Sequence, residues 1–494
     1  MGTRMLKIFK RSLRQYAEHW ISRLRFAGAQ SREEWLRVIQ LIERECVTFS
    51  EYIAWLGSHG TETINCIARE FVQIINDYDE DNGRLFNTPD DLTTHKHICR
   101  SMLAAMLSPN ITDWNIGLAT SALMKELMIL SFPRLPNITC LRVAPDTLNE
   151  CSSLFTNNIR TLKHLQEFYF PFGCSTQVLA ELGKHCNQLR RLSVMSSKYV
   201  DDDSITHLLK LTKLVFLNVD DTAISPKCYG TIICSLPDLG NITWTSPVDD
   251  VLLSITKEGL PSVKSLNVSV RSVLIVVLKC PFVTHLSLLG AKDSLLSLRE
   301  LVAVAVLTLV SCDFDAVNLA AVLQGIGPKL RELYLSKVTN VRIQYLLKFC
   351  DSLETLFIDC CEFIPSEIRH FDHELPHFRS LSSLELRANR WYGKMHSFLL
   401  YYVNLKVLTA RCTPEIDDRT IMSVLQYKGF RRLKKFSAIN CGPLSMISAS
   451  LLIKECANLN CLKGVGTWSG VTEEDIVNLM RMTRYGRVPI TIVL

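Results

Sequence analysis

The chain has 494 residues, of which 48% are hydrophobic and 21% charged, with a formal net charge of +6 at pH 7. These values provide ample material for a buried core and exclude an intrinsically disordered protein. The mild positive charge, spread over this length, does not by itself indicate nucleic acid. No apolar run reaches the ~18 residues that a membrane span requires, so neither a nucleic-acid partner nor a membrane span is expected.

The first 130 residues predict a helical N-terminal region, because their apolar residues recur at spacings of three and four. The predicted helices begin near Met5, Ser31, Thr61, Thr88 and Asp113, and the last of them ends near Leu130. Residues 1–26 carry seven basic side chains and one acid. This charge could suit an interfacial membrane helix or a mitochondrial presequence, but we favour a packed helix with a solvated basic face.

The acidic segment between the third and fourth helices, residues 77–83, is expected to be an exposed loop. Its alternating aspartates at 77, 79 and 81 superficially match a calcium-binding loop. However, Asn82 stands where that loop needs glycine, and Thr88 stands where it needs a bidentate glutamate. We therefore expect no calcium site here.

From about residue 131 to the C-terminus, the pattern apolar-x-x-apolar-x-apolar recurs in steps of 20 to 28 residues. It opens at Ile138, Leu165, Leu189, Leu214, Leu239, Val263, Val283, Val304, Leu330, Leu353, Leu381, Leu405, Leu433 and Leu459. A period in this range with this core predicts an α/β leucine-rich-repeat solenoid, here of about fourteen repeats. We expect one continuous horseshoe with parallel strands on its concave face, closed by a last strand at residues 488–494.

The eighteen cysteines follow the repeats rather than a disulfide or zinc pattern. Four of them precede a repeat opening by three residues: Cys186, Cys280, Cys350 and Cys456. Four more follow a strand closely: Cys312, Cys361, Cys412 and Cys441. These positions favour small apolar side chains, a role that a free thiol fills, and they indicate a reducing compartment, cytoplasm or nucleus. We expect no cofactor and no metal, including at the histidines 370, 373 and 377, which share a loop-like segment.

One unit reads Cys350-x-x-Leu353-x-x-Leu356-x-Ile358-x-x-Cys361. It resembles the cysteine-containing repeat of F-box/leucine-rich-repeat proteins, which are substrate receptors of cullin-type ubiquitin ligases. Residues 411–418 resemble the turn that follows a strand in that family. The resemblance covers roughly residues 135–490, and it implies a protein substrate on the concave face and an adaptor at the N-terminal region. The Leu-Pro-x-Glu that begins an F-box is absent from residues 1–130.

A second adaptor motif lies in the first predicted helix. Ser12, Leu13, Ala17 and Ile21 are similar to an Elongin-binding box, with Ala17 where a cysteine is preferred. The resemblance implies that this helix inserts into a groove on Elongin C. In the alternative interpretation, Leu13 packs inside the helical region and binds no adaptor.

Strand alternation predicts which repeat residues face a partner. Aromatic and charged side chains concentrate at the outward positions of the ninth to twelfth repeats: Tyr334, Phe357, Asp359, Glu385, Arg387 and Arg411. Exposed aromatics and arginines often dominate interface energy, so we predict that these residues bind the partner. In the alternative, Glu385 and Arg387 only pair with their neighbours.

The function predicted from these patterns is recognition without catalysis, since the sequence contains no nucleophile elbow, phosphate-binding glycine loop or paired-acid motif. The preferred hypothesis is a substrate receptor of a cullin-based ubiquitin ligase. Its concave face would take the protein substrate, and its N-terminal helices would take the F-box adaptor or Elongin C. The alternative is a leucine-rich-repeat scaffold or inhibitor with no ligase attached.

Overall fold

A computed structural model describes most of the chain. The described residues are 61–82, 89–145, 151–364, 378–388, 395–400, 402, 404–427, 429–484 and 490–493. The two helices predicted before residue 61, the adaptor motif of Ser12, Leu13, Ala17 and Ile21, and the three histidines at 370–377 lie outside them.

The chain forms two compact units, residues 1–239 and residues 240–494. The strands of the first are β1 (Asp113–Asn115), β2 (Cys140–Arg142), β3 (Glu167–Tyr169), β4 (Arg191–Ser193) and β5 (Phe216–Asn218). Those of the second are β6 (Asn241–Pro247), β7 (Ser265–Ser269), β8 (His285–Leu289), β9 (Val306–Val310), β10 (Glu332–Ser336), β11 (Thr355–Asp359), β12 (Ser383–Arg387), β13 (Val407–Arg411), β14 (Lys435–Ile439), β15 (Cys461–Lys463) and β16 (Thr491–Val493). Within each unit, every strand pairs in parallel with the next strand in the chain.

Helices separate most consecutive strands. Those described in the first unit are Thr61–Asn82, Pro89–Met106, Ala122–Leu130, Ser152–Ile159, Thr176–His185, Ile205–Leu208 and Pro226–Ser235. Those described in the second are Asp249–Ser254, Val273–Lys279, Leu319–Ile326, Ile343–Phe349, Met395–Leu400, Asp418–Gln426, Met446–Glu455 and Glu473–Arg484. Between β8 and β9, where the repeat step is 21 residues, the helical layer thins to the 3-10 segment Leu296–Glu300, whereas the 20-residue step before it keeps the helix Val273–Lys279.

The apolar repeat pattern forms the core of both units. In the repeat that opens at Leu353, this residue, Leu356 and Ile358 are all fully buried. The residues that open the other predicted repeats are buried in the same way, and β2–β15 are the strands that these openings predict. The predicted closing strand is present as β16. The α/β leucine-rich-repeat fold is therefore confirmed.

Side chains at the helix starts tie one repeat to the next. Ser225 caps the helix Pro226–Ser235 by accepting a hydrogen bond from the Cys228 amide. Asp202, in the preceding repeat, accepts a 2.7 Å hydrogen bond from the Ser225 amide. In the same way, Asp418 accepts a 2.9 Å hydrogen bond from the amide of Ser445, which follows it by 27 residues in the next repeat. Charge-assisted bonds of this kind hold neighbouring repeats in register.

Two predictions for the N-terminal region are wrong. The helix that was to begin at Asp113 begins at Ala122, because Ser121 supplies the cap. Asp113 instead starts the strand β1, in a region predicted to be all-helical. Residues 77–82 are not an exposed loop, because the helix Thr61–Asn82 continues through them.

Each described cysteine is a free thiol. Those that precede repeat openings are buried, as predicted, and burial raises the pKa of Cys280 and of Cys350 to about 12. Cys412 departs from the prediction of a small apolar position. It is exposed, because it follows β13 in a left-handed conformation with φ of 50°. Among the described residues, no helix is long and apolar enough to cross a membrane.

Candidate functional site

The six residues predicted to bind a partner lie on four neighbouring strands of the second unit. Along β10 to β13 the buried residues alternate with partly exposed ones, so the latter point away from the core. Strand register places Tyr334, Phe357 and Glu385 in one row. It places Asp359, Arg387 and Arg411 in the adjacent row. We call these six residues the aromatic face.

Phe357 is at the centre of the aromatic face. Its ring centroid lies 5.8 Å from that of Tyr334 on β10. The guanidinium carbon of Arg387, on β12, lies 5.0 Å from the same ring. A cation near an exposed aromatic ring contributes about 0.5–1 kcal/mol. Phe357 thereby lies between an aromatic ring and a cation.

The polar groups around Phe357 are also oriented. The Tyr334 hydroxyl donates a 2.6 Å hydrogen bond to Glu332, and burial together with this bond raises the pKa of Tyr334 to about 12. Arg387 forms a 2.6 Å ion pair with Glu385. Ser336 donates a 3.0 Å hydrogen bond to Asp359. Glu385 and Arg387 thus pair with each other along β12, and Arg387 also contacts the ring of Phe357 on β11.

The first unit carries a second group of cations and rings, which sequence reasoning missed. The guanidinium carbon of Arg191 lies 4.6 Å from the Phe216 ring centroid, and its Nε donates a 3.3 Å hydrogen bond to the Tyr169 hydroxyl. Arg142 lies 5.4 Å from the Tyr169 ring and forms a 2.5 Å ion pair with Asp113. Arg191 and Phe216 occupy the first outward position of their strands. A search of the first outward position of each strand, in addition to the middle one, would have found Arg191 and Phe216 in the sequence.

The helices Thr61–Asn82 and Pro89–Met106 contain a buried polar cluster. Asp79 Oδ1 lies 2.7 Å from His95 Nε2, and Cys99 Sγ lies 3.8 Å from the same nitrogen. The side chains of Asp79 and His95 are only 8% and 1% exposed. Burial opposes ionisation of Asp79, but hydrogen bonds from His95 and Ser121 outweigh it, so the pKa of this carboxyl lies below its ordinary value.

These three side chains could each offer one ligand to a metal ion. A structural zinc site takes four ligands, and the described residues supply three here. The 2.7 Å separation of Asp79 and His95 is that of a hydrogen bond. The donor set therefore fits a buried hydrogen-bonded pair that joins two helices better than it fits a metal centre.

No family model and no curated protein sequence matches the chain. An internalin from Listeria monocytogenes is a similar solved structure, with 15% identity over 73% of this chain and 88% of the other, and a TM-score of 0.32. A leucine-rich-repeat protein of Leptospira interrogans has 15% identity over 73% and 91%, with a TM-score of 0.34. The yeast Rad7–Elc1 complex gives 13% identity over 93% and 94%, with a TM-score of 0.38. At such TM-scores these likenesses carry no argument, and the fold rests on the chain's own strand registers.

Proposed function

We propose that the chain is a protein-binding receptor that holds its partner on the aromatic face. The observation that carries this proposal is the arrangement of Phe357 between Tyr334 and Arg387 on an outward strand surface. Large, pre-oriented aromatic and arginine side chains provide contact area at low entropic cost, and such residues contribute most to interface energy. The function proposed is recognition without catalysis.

The finer proposal is that this receptor selects substrates for a cullin-based ubiquitin ligase. It is supported by the resemblance of the cysteine-containing repeat at residues 350–361 to that of F-box/leucine-rich-repeat receptors. The N-terminal helices would bind the F-box adaptor or Elongin C, the latter through Ser12, Leu13, Ala17 and Ile21. The alternative, a scaffold or inhibitor without a ligase, uses the same aromatic face.

The test separates the two surfaces with point substitutions in the full chain. Removing residues 1–130 would be too disruptive, because Trp114 in β1 and Met124 in the following helix are both buried. Tagged wild type is therefore compared with Phe357→Ala for the aromatic face and with Leu13→Asp for the adaptor motif. Tyr199→Ala is the matched control, since Tyr199 is 74% exposed and lies outside the strands. Partners that co-purify are identified by mass spectrometry.

The receptor proposal requires a partner that Phe357→Ala loses and Tyr199→Ala keeps. Equal recovery with both variants would refute the aromatic face. Recovery of a cullin with Elongin C or the F-box adaptor would support the ligase proposal, and its loss with Leu13→Asp would identify the Elongin-type motif. A partner without any ligase subunit would support the scaffold alternative.

A further inference from the structure

We infer that the outward face of β13, β14 and β15 binds an acidic segment of the partner protein. This inference rests on the proposed receptor function and specifies the chemistry of the partner. The outward strand positions carry three cationic side chains and no acidic one, and two exposed lysines directly precede β13 and β14; the five residues are Arg411, Lys435, Lys463, Lys406 and Lys434. We call these five residues the basic face.

Strand pairing brings these cations close together. The amides of Lys434 and Lys435 both donate to the Lys406 carbonyl, at 2.7 and 2.9 Å. Lys463, on β15, is in register with Ser437 on β14, and Ser437 is two residues after Lys435 on that strand. Adjacent strands lie ~4.8 Å apart, so the backbones of Lys406, Lys434 and Lys435 lie within about two strand spacings of one another. Like charges at such separations repel, and a bound anion relieves that repulsion.

The basic face differs from the strands before it in having unpaired charge. On β10 to β12, the cations are neutralised: Arg387 lies 2.6 Å from Glu385, and Arg331 lies 3.8 Å from Glu354. Among the described residues, no acidic side chain forms an ion pair with any of the five cations of the basic face. Lys406, Arg411, Lys434 and Lys435 are exposed, and Lys463 is half-buried. Their charge is thus available to a partner.

The side chains between the cations favour a protein segment over nucleic acid. The remaining outward positions of β13 to β15 hold small or aliphatic residues: Val407, Thr409, Ser437, Ile439 and Cys461. Single-stranded nucleic acid is usually held by aromatic rings on which its bases stack, and none occupies these positions.

The direct test uses the full-length chain and three fluorescein-labelled probes of ten units each. The first is a peptide of alternating glutamate and serine, the second has lysine in place of glutamate, and the third is oligo-thymidine. Binding is measured by fluorescence anisotropy at low and at physiological ionic strength. The variant is the triple substitution Lys406→Glu, Lys434→Glu and Lys435→Glu. Its matched control changes charge equally at exposed lysines off the strands, through Lys227→Glu, Lys329→Glu and Lys454→Glu.

We expect the acidic peptide to bind the wild type and the control variant equally well. The triple variant should bind it at least about tenfold more weakly, because each surface ion pair contributes modestly and the substitutions reverse three charges. Binding should weaken as salt screens the charges. A second triple variant, with glutamine in place of glutamate, tests for loss without reversal, and circular dichroism checks that each variant folds.

Three results would overturn the inference. These are no binding of the acidic peptide at low salt, an equal loss in the matched control, or tighter binding of oligo-thymidine than of the peptide. The outcome is separable from that of the proposed function. If partners from cells are lost with Phe357→Ala but retained by the basic-face variant, the receptor function stands and the inference about acidic segments fails.

Discussion

The buried pair of Asp79 and His95 gives the sharpest prediction about stability. Asp79→Ala leaves His95, whose side chain is 1% exposed, without its 2.7 Å partner. Removing one partner of a buried hydrogen bond typically costs about 1–3 kcal/mol, because the other partner is left buried and unsatisfied. We take the upper end, about 3 kcal/mol, because the hydrogen bond involves the Asp79 carboxylate, and hydrogen bonds to charged groups are the stronger ones.

Hydrogen–deuterium exchange is the suitable assay, because long repeat arrays do not unfold in a single two-state transition. Exchange of backbone amides reports the free energy of local opening. A loss of about 3 kcal/mol corresponds to roughly 150-fold faster exchange. We expect this acceleration in the helices Thr61–Asn82 and Pro89–Met106 of the first unit, with no change in the helix Met446–Glu455 of the second unit. Asp238→Asn, at an exposed position, is the control.

The same pair predicts a pH dependence with a definite sign. The pKa of the Asp79 carboxyl is lower in the folded state than its ordinary value of about 3.9. Its contribution to stability is therefore complete above that pH and is lost as the pH falls through the folded-state pKa. Wild-type exchange, corrected for its intrinsic pH dependence, should approach that of Asp79→Ala in this acidic range. If Asp79→Ala exchanges at the wild-type rate at pH 7, or accelerates both helices no more than Asp238→Asn does, the pair does not stabilise them.

Three further predictions concern the repeats. Phe155→Ala should destabilise the first unit by about 3–5 kcal/mol, because its fully buried ring contacts three other phenylalanines. Limited proteolysis, followed by identification of the peptides released from each unit, would detect the loss. A variant as resistant to proteolysis as the wild type would contradict the prediction. Iodoacetamide at pH 7.5 should label the exposed Cys412 and leave the buried Cys350, with its pKa of about 12, unmodified. Peptide mapping that found Cys350 modified before Cys412 would be inconsistent with the packing. Ala388→Gly should raise the melting temperature slightly, since Ala388 has a φ of 43° and glycine at this φ avoids up to about 1 kcal/mol of strain. The control, Ala321→Gly inside the helix Leu319–Ile326, should lower the melting temperature.

The repeat spacing predicted the strands well because each opening residue has a geometric role. Leu356 and Ile358 alternate onto the buried side of β11, and Leu353, just before this strand, is fully buried as well. The strand β1 carries the same signal, because Ile111, Trp114 and Ile116 match the repeat pattern 27 residues before Ile138 and are all buried. It was missed because helical spacing was given priority in this region, although β1 pairs with β2 as the later strands pair with one another.

The acidic segment was misjudged because composition was weighed above periodicity. Phe71 and Ile75 are buried at a spacing of four, and Asp79 is the next residue in that series. Its position on the apolar face of the helix could have been read from the sequence. Its partner could not, because His95 lies on another helix, and only tertiary packing brings the two together.

The aromatic face and the basic face together constrain the form of a partner. Alternation identified which side chains of β10 to β13 point outward, but only the side-chain contacts show that Arg387 pairs with Glu385, whereas no described acidic side chain pairs with Lys406, Lys434 or Lys435. Phe357 lies on β11 and Lys435 on β14, three strand spacings apart, or about 14 Å. A single extended segment could cover both, with an apolar side chain against Phe357 and acidic residues about four positions further along. A peptide with an apolar residue followed about four positions later by acidic residues should therefore bind more tightly than the purely acidic probe. The same residues in reversed order should bind no more tightly than that probe.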